Sequence, residues 1–228
     1  MKIQERSVAG EFKIPIATVD VALFTLREDI LQLLLVKREL APFAGAYALP
    51  GGFIHADEDA DAGAAARRIL AGKASLTGGY FLEQLYTFSG AARDPRGWSI
   101  SIVYYAVVPE AALPQHGPWT LIDVRAIPRL PFDHNAICVA ALDRLRGKGA
   151  YSSLPAFLLA RTFTLGELQT VYECVIGERL DKKSFRRKID DLDVVERVPG
   201  KLRRGAANRP AQLYRLSART LSEFDRAI

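Results

Sequence analysis

Pro50-Gly51-Gly52 ends one apolar extended stretch and feeds it into an alanine-rich segment, and this junction constrains the fold more than any other feature of the chain. A strand turned this tightly into a helix belongs to an α/β architecture, in which the helix covers a sheet. Within the stretch LPGGFIHADEDADAGAAARRILAGKASL at 49–76, the helix is expected from about residue 59 to residue 74. Gly63 and Gly72 each weaken it by about 1 kcal/mol relative to alanine. Upstream, residues 17–24 and 31–37 are rich in β-branched and aliphatic side chains and flank a turn around Arg27-Glu28-Asp29, so they read as paired strands. Downstream, 80–88 and 99–108 are the next two strands, with the turn-rich stretch 91–97 between them.

The 49–76 stretch resembles the signature segment of the Nudix fold, Gly-x5-Glu-x7-Arg-Glu-U-x-Glu-Glu-x-Gly-U with U aliphatic. In that segment the glutamates share one helical face, because Mg²⁺ on a pyrophosphate needs hard oxygen ligands and only positions i, i+3 and i+4 project together. Gly52-x5-Glu58 fits the opening, and residues 68–76 lie along the second half. All three metal-side glutamates are gone. Ile69, Gly72 and Lys73 stand in their places, and an ammonium repels Mg²⁺. Nine residues rather than seven separate Glu58 from Arg68, and Ser75 occupies the place of the closing glycine. The resemblance implies a Nudix-like α/β/α sandwich without catalytic residues, metal or cofactor.

At 228 residues, half apolar and a quarter charged, the chain has mass for two modest domains. Its first residues carry no apolar signal region, and runs such as 100–109 are too short to span a bilayer, so a cytoplasmic protein with no membrane partner is expected. Cys138 and Cys174 fall in helix-like apolar patterns without metal or redox spacing and read as core residues. The histidines His55, His116 and His134 show no ligand spacing. Charge divides the chain: residues 1–150 hold 16 basic and 16 acidic side chains, against 15 and 10 in 151–228, so the net +5 belongs to the C-terminal third. That asymmetry points to a polyanion partner for one end.

The basic third is organised. Thr164-Leu165-Gly166-Glu167 is a capping box, and Leu168, Val171, Tyr172, Val175 and Ile176 make one buried stripe before Gly177 ends the helix. Asp181 caps a second helix with apolar Phe185, Ile189 and Leu192. On its other face Lys182 with Arg186 and Lys183 with Arg187 are like-charged i, i+4 pairs, unfavourable by a few tenths of a kcal/mol unless an anion neutralises them. Residues 194–198 and 212–216 form a hairpin with a basic tip at 199–210. Helix, turn, basic helix and basic wing make a winged helix-turn-helix, which puts its second helix in the major groove of double-stranded DNA.

The block 83–104 with Arg93-Asp94-Pro95-Arg96, the word Phe132-Asp133-His134 and the helix that Asp133 would cap, ending before Gly147, resemble the Nudix branch that acts on or senses ADP-ribose. Joined to the C-terminal segments 163–173, 181–188 and 209–214, they resemble the Nudix-related transcriptional regulators of NAD metabolism (NrtR family) over nearly the whole chain. The resemblance implies an effector-binding domain at 1–150 and a DNA-binding domain at 151–228. It also implies a homodimeric repressor of NAD biosynthesis or salvage genes that ADP-ribose releases from its operator. The candidate ligand residues are Arg93 and Arg96, then Arg38, Lys73 and Phe88, arginine being suited to bidentate phosphate contact. For DNA they are Lys182, Lys183, Ser184, Arg186 and Arg187 on the helix and Lys201, Arg203, Arg204 and Arg209 on the wing. Two alternatives stay open: an ADP-ribose pyrophosphatase whose metal site is rebuilt from Glu58 with Asp57, Asp59 or Asp61, and a regulator of sugar catabolism with a sugar-derived effector.

Overall fold

The computed structural model describes residues 14–203 and 210–228, except for the side chain of Lys201. The first unit is built on one mixed sheet of seven strands. Strands β1 (Ile16–Arg27) and β2 (Ile30–Lys37) form an antiparallel hairpin, and Glu28 and Asp29 at its tip both take left-handed backbone, φ 51° and 59°. Two such residues in succession match the right-handed twist of the flanking strands. The short strands β3 (Tyr47–Ala48) and β4 (Gly51–Phe53) pair with β2 and β1. Strand β5 (Phe81–Gly90) lies at one edge against β6 (Ser99–Val107), which runs parallel to β1, and β7 (Trp119–Asp123) pairs with β2.

Side chains alternate across the central strand. Val19, Val21 and Leu23 face helix α1 (Ala62–Ala74) with Ala65, Ile69 and Leu70. Ala22 and Phe24 face the other side, where helix α2 (His134–Ala150) contributes Ile137, Ala141 and Leu145. Because both faces are covered, β1 reads as a nearly continuous apolar run. The expected α/β/α sandwich is present.

Several local boundaries differ from expectation. Helix α1 starts at Ala62, because Asp61 caps it by accepting Ala64 N–H at 2.7 Å while Asp59 is drawn back onto Arg68. It ends on Ser75 at φ 54°, the left-handed position for which the Nudix pattern supplies glycine. Helix α2 does not stop before Gly147 but continues to Ala150, and Asp133 sits at its N-cap without a side-chain capping bond. Gly149 has a packing role there: a Cβ would lie 2.7 Å from Val175 Cγ1, so glycine allows close approach of the next helix.

That helix is α3 (Leu165–Ile176), whose capping box is complete and whose C-cap Gly177 is left-handed at φ 85°. Helix α4 (Lys182–Leu192) is capped by Asp181 through Ser184 N–H. Strands β8 (Val195–Arg203) and β9 (Ala211–Leu216) form the wing, and β8 runs five residues beyond the expected strand end at 198. Phe163, Leu168, Tyr172, Phe185 and Ile189 make this unit's own core, with Tyr172 edge-on to Phe185 at 5.5 Å. Leu154, Leu158, Val171 and Val175, however, belong to the same cluster as Phe24 and Ile137. The linker and one face of α3 are therefore packed against the first unit. Phe224 N–H also bonds Tyr151 O at 2.7 Å, returning the C-terminal tail to the junction. Among the described residues no helix is long and apolar enough to cross a membrane.

Candidate functional site

A cavity of about 500 Å³ opens where β1, β2, β4, α1 and the N-terminus of α2 meet. The Pro-Gly-Gly turn forms part of its wall. A Cβ on Gly51 would fall 1.9 Å from Asp20 Oδ1 and 3.0 Å from Val19 O, so β4 can pair beside the buried Asp20 only with glycine at this position. Asp20 accepts a hydrogen bond from Ser101 Oγ at 2.6 Å and lies 3.6 Å from both Arg93 Nη2 and His134 Nε2. His134 is buried, and its Nδ1 accepts Leu49 N–H at 3.1 Å. Burial, outweighing the attraction of Asp20, lowers its pKa, which favours a neutral ring with the proton on Nε2.

Four of the five residues expected at a ligand site, Arg38, Lys73, Arg93 and Arg96, line this one cavity. Phe88 does not: on β5 it packs against the α2-side core and edge-on to Tyr86 at 5.5 Å. The order of importance also changes. Arg93, only 8% exposed, donates two bonds to Asp133 at 2.9 and 3.0 Å and one to Ser99 at 3.2 Å. Arg96 forms a two-bond pair with Asp94 at 2.7 and 3.0 Å. That bonding raises the Arg96 pKa and holds the Asp94 carboxyl below its ordinary value.

Arg38 and Lys73 differ. Arg38 donates only to carbonyls, Pro42 O at 2.9 Å and Leu40 O at 3.3 Å, and Lys73 Nζ donates to Gly51 O at 2.6 Å. Neither has a carboxylate partner among the described residues. Desolvation, with like charge as a further cause, lowers both pKa values: Arg96 acts on Arg38, and Arg38 on Lys73. Two under-compensated cations thus share one concave wall, which is what an anionic group requires.

Two aromatic rings escaped sequence reasoning. Phe132 lies under the Arg38 guanidinium at 4.9 Å and Phe53 under that of Arg96 at 5.1 Å. Phe132 is also left-handed at φ 58°, a costly conformation for a bulky side chain and one that concentrates at binding sites. The signal was the Phe132-Asp133-His134 word, whose first and last residues both line the cavity. The acidic residues of 57–61 do not converge. Glu58 lies 3.0 Å from His55 Nδ1, Asp61 caps α1, and Asp59 bonds Arg68, which holds its pKa down to about 2. Among the described residues no three His, Cys, Asp or Glu side chains are placed to hold a metal ion.

At the other end of the molecule, Lys182, Lys183, Ser184, Arg186 and Arg187 are all exposed on α4, whose Phe185 and Ile189 are buried. On the wing, Arg203 does not extend outward: its guanidinium pairs with Glu167 of the capping box and donates to Thr162 O at 3.2 Å. Glu167 therefore caps α3 through one oxygen, accepting Thr164 N–H at 2.7 Å, and anchors the wing through the other. The side chain of Lys201, and Arg204 and Arg209 entirely, lie outside the described part. Arg203→Ala is expected to leave the salt dependence of DNA binding unchanged while loosening the wing. A slope reduced by about one unit in log K against log salt, as for a lost phosphate contact, would return Arg203 to the DNA-contacting set.

Comparison with known proteins covers both units. Residues 16–137 match the NUDIX domain family and residues 155–216 the NrtR DNA-binding winged helix domain. The chain is 37% identical over 222 residues to the ADPR responsive transcriptional repressor NtrR of Acinetobacter baylyi, covering 95% of this chain and 86% of the relative. It superposes with a TM-score of 0.84 on NrtR of Shewanella oneidensis complexed with a 27mer DNA, at 35% identity over 93% of this chain and 99% of the other. The NUDIX domain of the Shewanella protein complexed with ADP ribose matches 59% of this chain and 90% of the other at 35% identity, TM-score 0.52. With a NUDIX domain joined to this winged helix and a full-length relative of that kind, the chain belongs to the NrtR family.

Proposed function

We propose that the protein is a DNA-binding repressor of NAD biosynthesis or salvage genes, in which residues 1–150 sense ADP-ribose without hydrolysing it and residues 151–228 read the operator. The observation that carries this reading is the pair Arg38 and Lys73, which line the cavity and have no carboxylate partner among the described residues. A pyrophosphate supplies the missing negative charge, and the Phe53 and Phe132 side chains, which line the cavity beneath Arg96 and Arg38, supply apolar surface to its organic ends. Lys73 occupies the position of a metal-ligand glutamate in the Nudix pattern. An ammonium there can neutralise phosphate oxygens as Mg²⁺ does, but it generates no metal-bound hydroxide to attack them. The ligand stays intact and acts as a signal.

Release of DNA requires that ADP-ribose bind the free conformation better than the DNA-bound one. A tenfold loss of DNA affinity corresponds to about 1.4 kcal/mol of such preference. The route we favour starts at Arg93, which ties the cavity to Asp133 at the head of α2, and ends where Gly149 of α2 meets Val175 of α3. A ligand seated beside this ion pair shifts α2, and the tight contact with α3 passes the shift to the DNA-reading unit. In a homodimer two α4 helices would meet a palindromic site about one helical turn apart.

The test is fluorescence anisotropy of labelled DNA from upstream of the gene's own operon, with Mg²⁺ present, ADP-ribose titrated in, and AMP assayed afterwards. Anisotropy is expected to fall without AMP appearing, and Lys73→Glu is expected to remove the response while DNA binding persists. Release of AMP in the wild type would replace the sensor with a pyrophosphatase. Persistent DNA binding at saturating ADP-ribose would remove ADP-ribose as the effector.

A further inference from the structure

A second cavity of about 410 Å³ lies away from the effector pocket, at the junction of the two units. Its walls come from both. Tyr80, before β5, belongs to the first unit; Phe157 and Arg161 belong to the linker; Glu196, Arg215 and Arg219 belong to the wing and the segment after it. The volume falls in the range of small-molecule sites. Its charge is one-sided. Arg215 is paired with Glu196, whereas Arg161 and Arg219 make no hydrogen bond or ion pair among the described residues. Three arginines against one glutamate leave two surplus positive charges facing one concave surface. Two half-buried aromatic side chains share the wall: Tyr80, and Phe157, which packs on Phe81 at 5.5 Å. Guanidinium groups bind phosphate through paired, geometrically fixed donors, and aromatic faces favour flat rings.

We propose that this junction cavity is a second ligand site, for a small phosphate monoester carrying a flat ring, held by Arg161 and Arg219 with its ring against Tyr80 and Phe157. Arg215 is already partnered and contributes field rather than direct contact. Because the walls belong to both units, the site is complete only in one relative arrangement of them. A ligand there stabilises that arrangement over others, and by linkage it changes DNA affinity in whichever direction that arrangement binds DNA. This control is separate from the one exerted at Arg38 and Lys73.

The probe is AMP, titrated calorimetrically into the full-length protein with the first pocket filled by saturating ADP-ribose, whose own binding is measured beforehand. Wild type is expected to bind AMP under these conditions. The doubly substituted Arg161→Ala, Arg219→Ala protein is expected to bind it at least about tenfold more weakly, with unchanged ADP-ribose binding and an unchanged circular dichroism spectrum, since both side chains are exposed. Absence of AMP binding in wild type, or equal affinity in the two proteins, overturns the proposal. So does a double variant that loses DNA affinity with AMP binding intact, which would assign these arginines to the nucleic acid. If ADP-ribose itself does not bind, the effector assignment fails, and the comparison of the two proteins with AMP still decides the second site.

Discussion

Arg93→Ala is expected to destabilise the fold by about 3 kcal/mol, at the lower end of the range for breaking a buried ion pair, and to abolish any response to ADP-ribose. Arg93 is 8% exposed and supplies both bonds to Asp133 while lying 3.6 Å from Asp20. Without it, Asp20 and Asp133 lose the cation that lies beside both. Asp133 keeps some contact with solvent, at 23% exposure, which limits the penalty. Arg38→Ala is the informative contrast. Its guanidinium bonds only carbonyls of its own loop, so stability should change by less than about 1 kcal/mol, while affinity for the ligand falls at least about tenfold. Urea denaturation and ligand titration on the same two variants check both statements. A loss below about 1 kcal/mol in Arg93→Ala would mean that Arg93 is not the structural member of the set, and would return it to the phosphate-binding role its sequence context suggested.

That exchange of roles shows where sequence reading ends. Capping boxes, apolar stripes and turn residues are local, and they were legible: Thr164 with Glu167 and the Glu28-Asp29 turn appear as read, and of the α3 stripe Leu168, Val171, Tyr172 and Val175 are buried while Ile176 is half-buried. The identity of an arginine's partner is not local. Arg93 meets Asp133 across 40 residues and Arg203 meets Glu167 across 36, and no periodicity records such a pairing. A motif therefore brought Arg38, Lys73, Arg93 and Arg96 to one cavity but could not say which were already neutralised. Strand β7 was missed because its five residues are all half-buried and give no clear alternation. Helix α2 outran its expected end because Gly147, read as its stop, keeps helical backbone, and the helix continues to Ala150. Phe88, read as able either to flank a base or to serve the core, packs against the α2-side core.

Arg186→Glu combined with Arg187→Glu is expected to cost at least about thirtyfold in operator affinity, from about 1–3 kcal/mol per lost contact, with folding and ADP-ribose binding unchanged. The reason lies in how α4 distributes charge. Lys182 and Lys183 occupy its first turn and Asp190 and Asp191 its last, the reverse of what the helix dipole favours at either end. Stability alone does not explain that order, and the like-charged i, i+4 pairs add a further small penalty. All of it is relieved when phosphates lie along the N-terminal half of the helix, where free backbone N–H groups and cations act together. Phe185 and Ile189 fix this face outward by burying the opposite one, so the substitutions change the surface without touching the core. Lys188→Glu supplies a comparison one residue further along the helix, at a half-buried position, and is expected to weaken DNA binding less than either arginine change. Binding should be measured at several salt concentrations. Two lost phosphate contacts flatten the slope of log K against log salt by about two units, whereas lost base contacts lower affinity at constant slope, so the same series divides α4 between holding DNA and reading it. An unchanged affinity in the double variant would leave α4 out of the interface and transfer DNA binding to the wing.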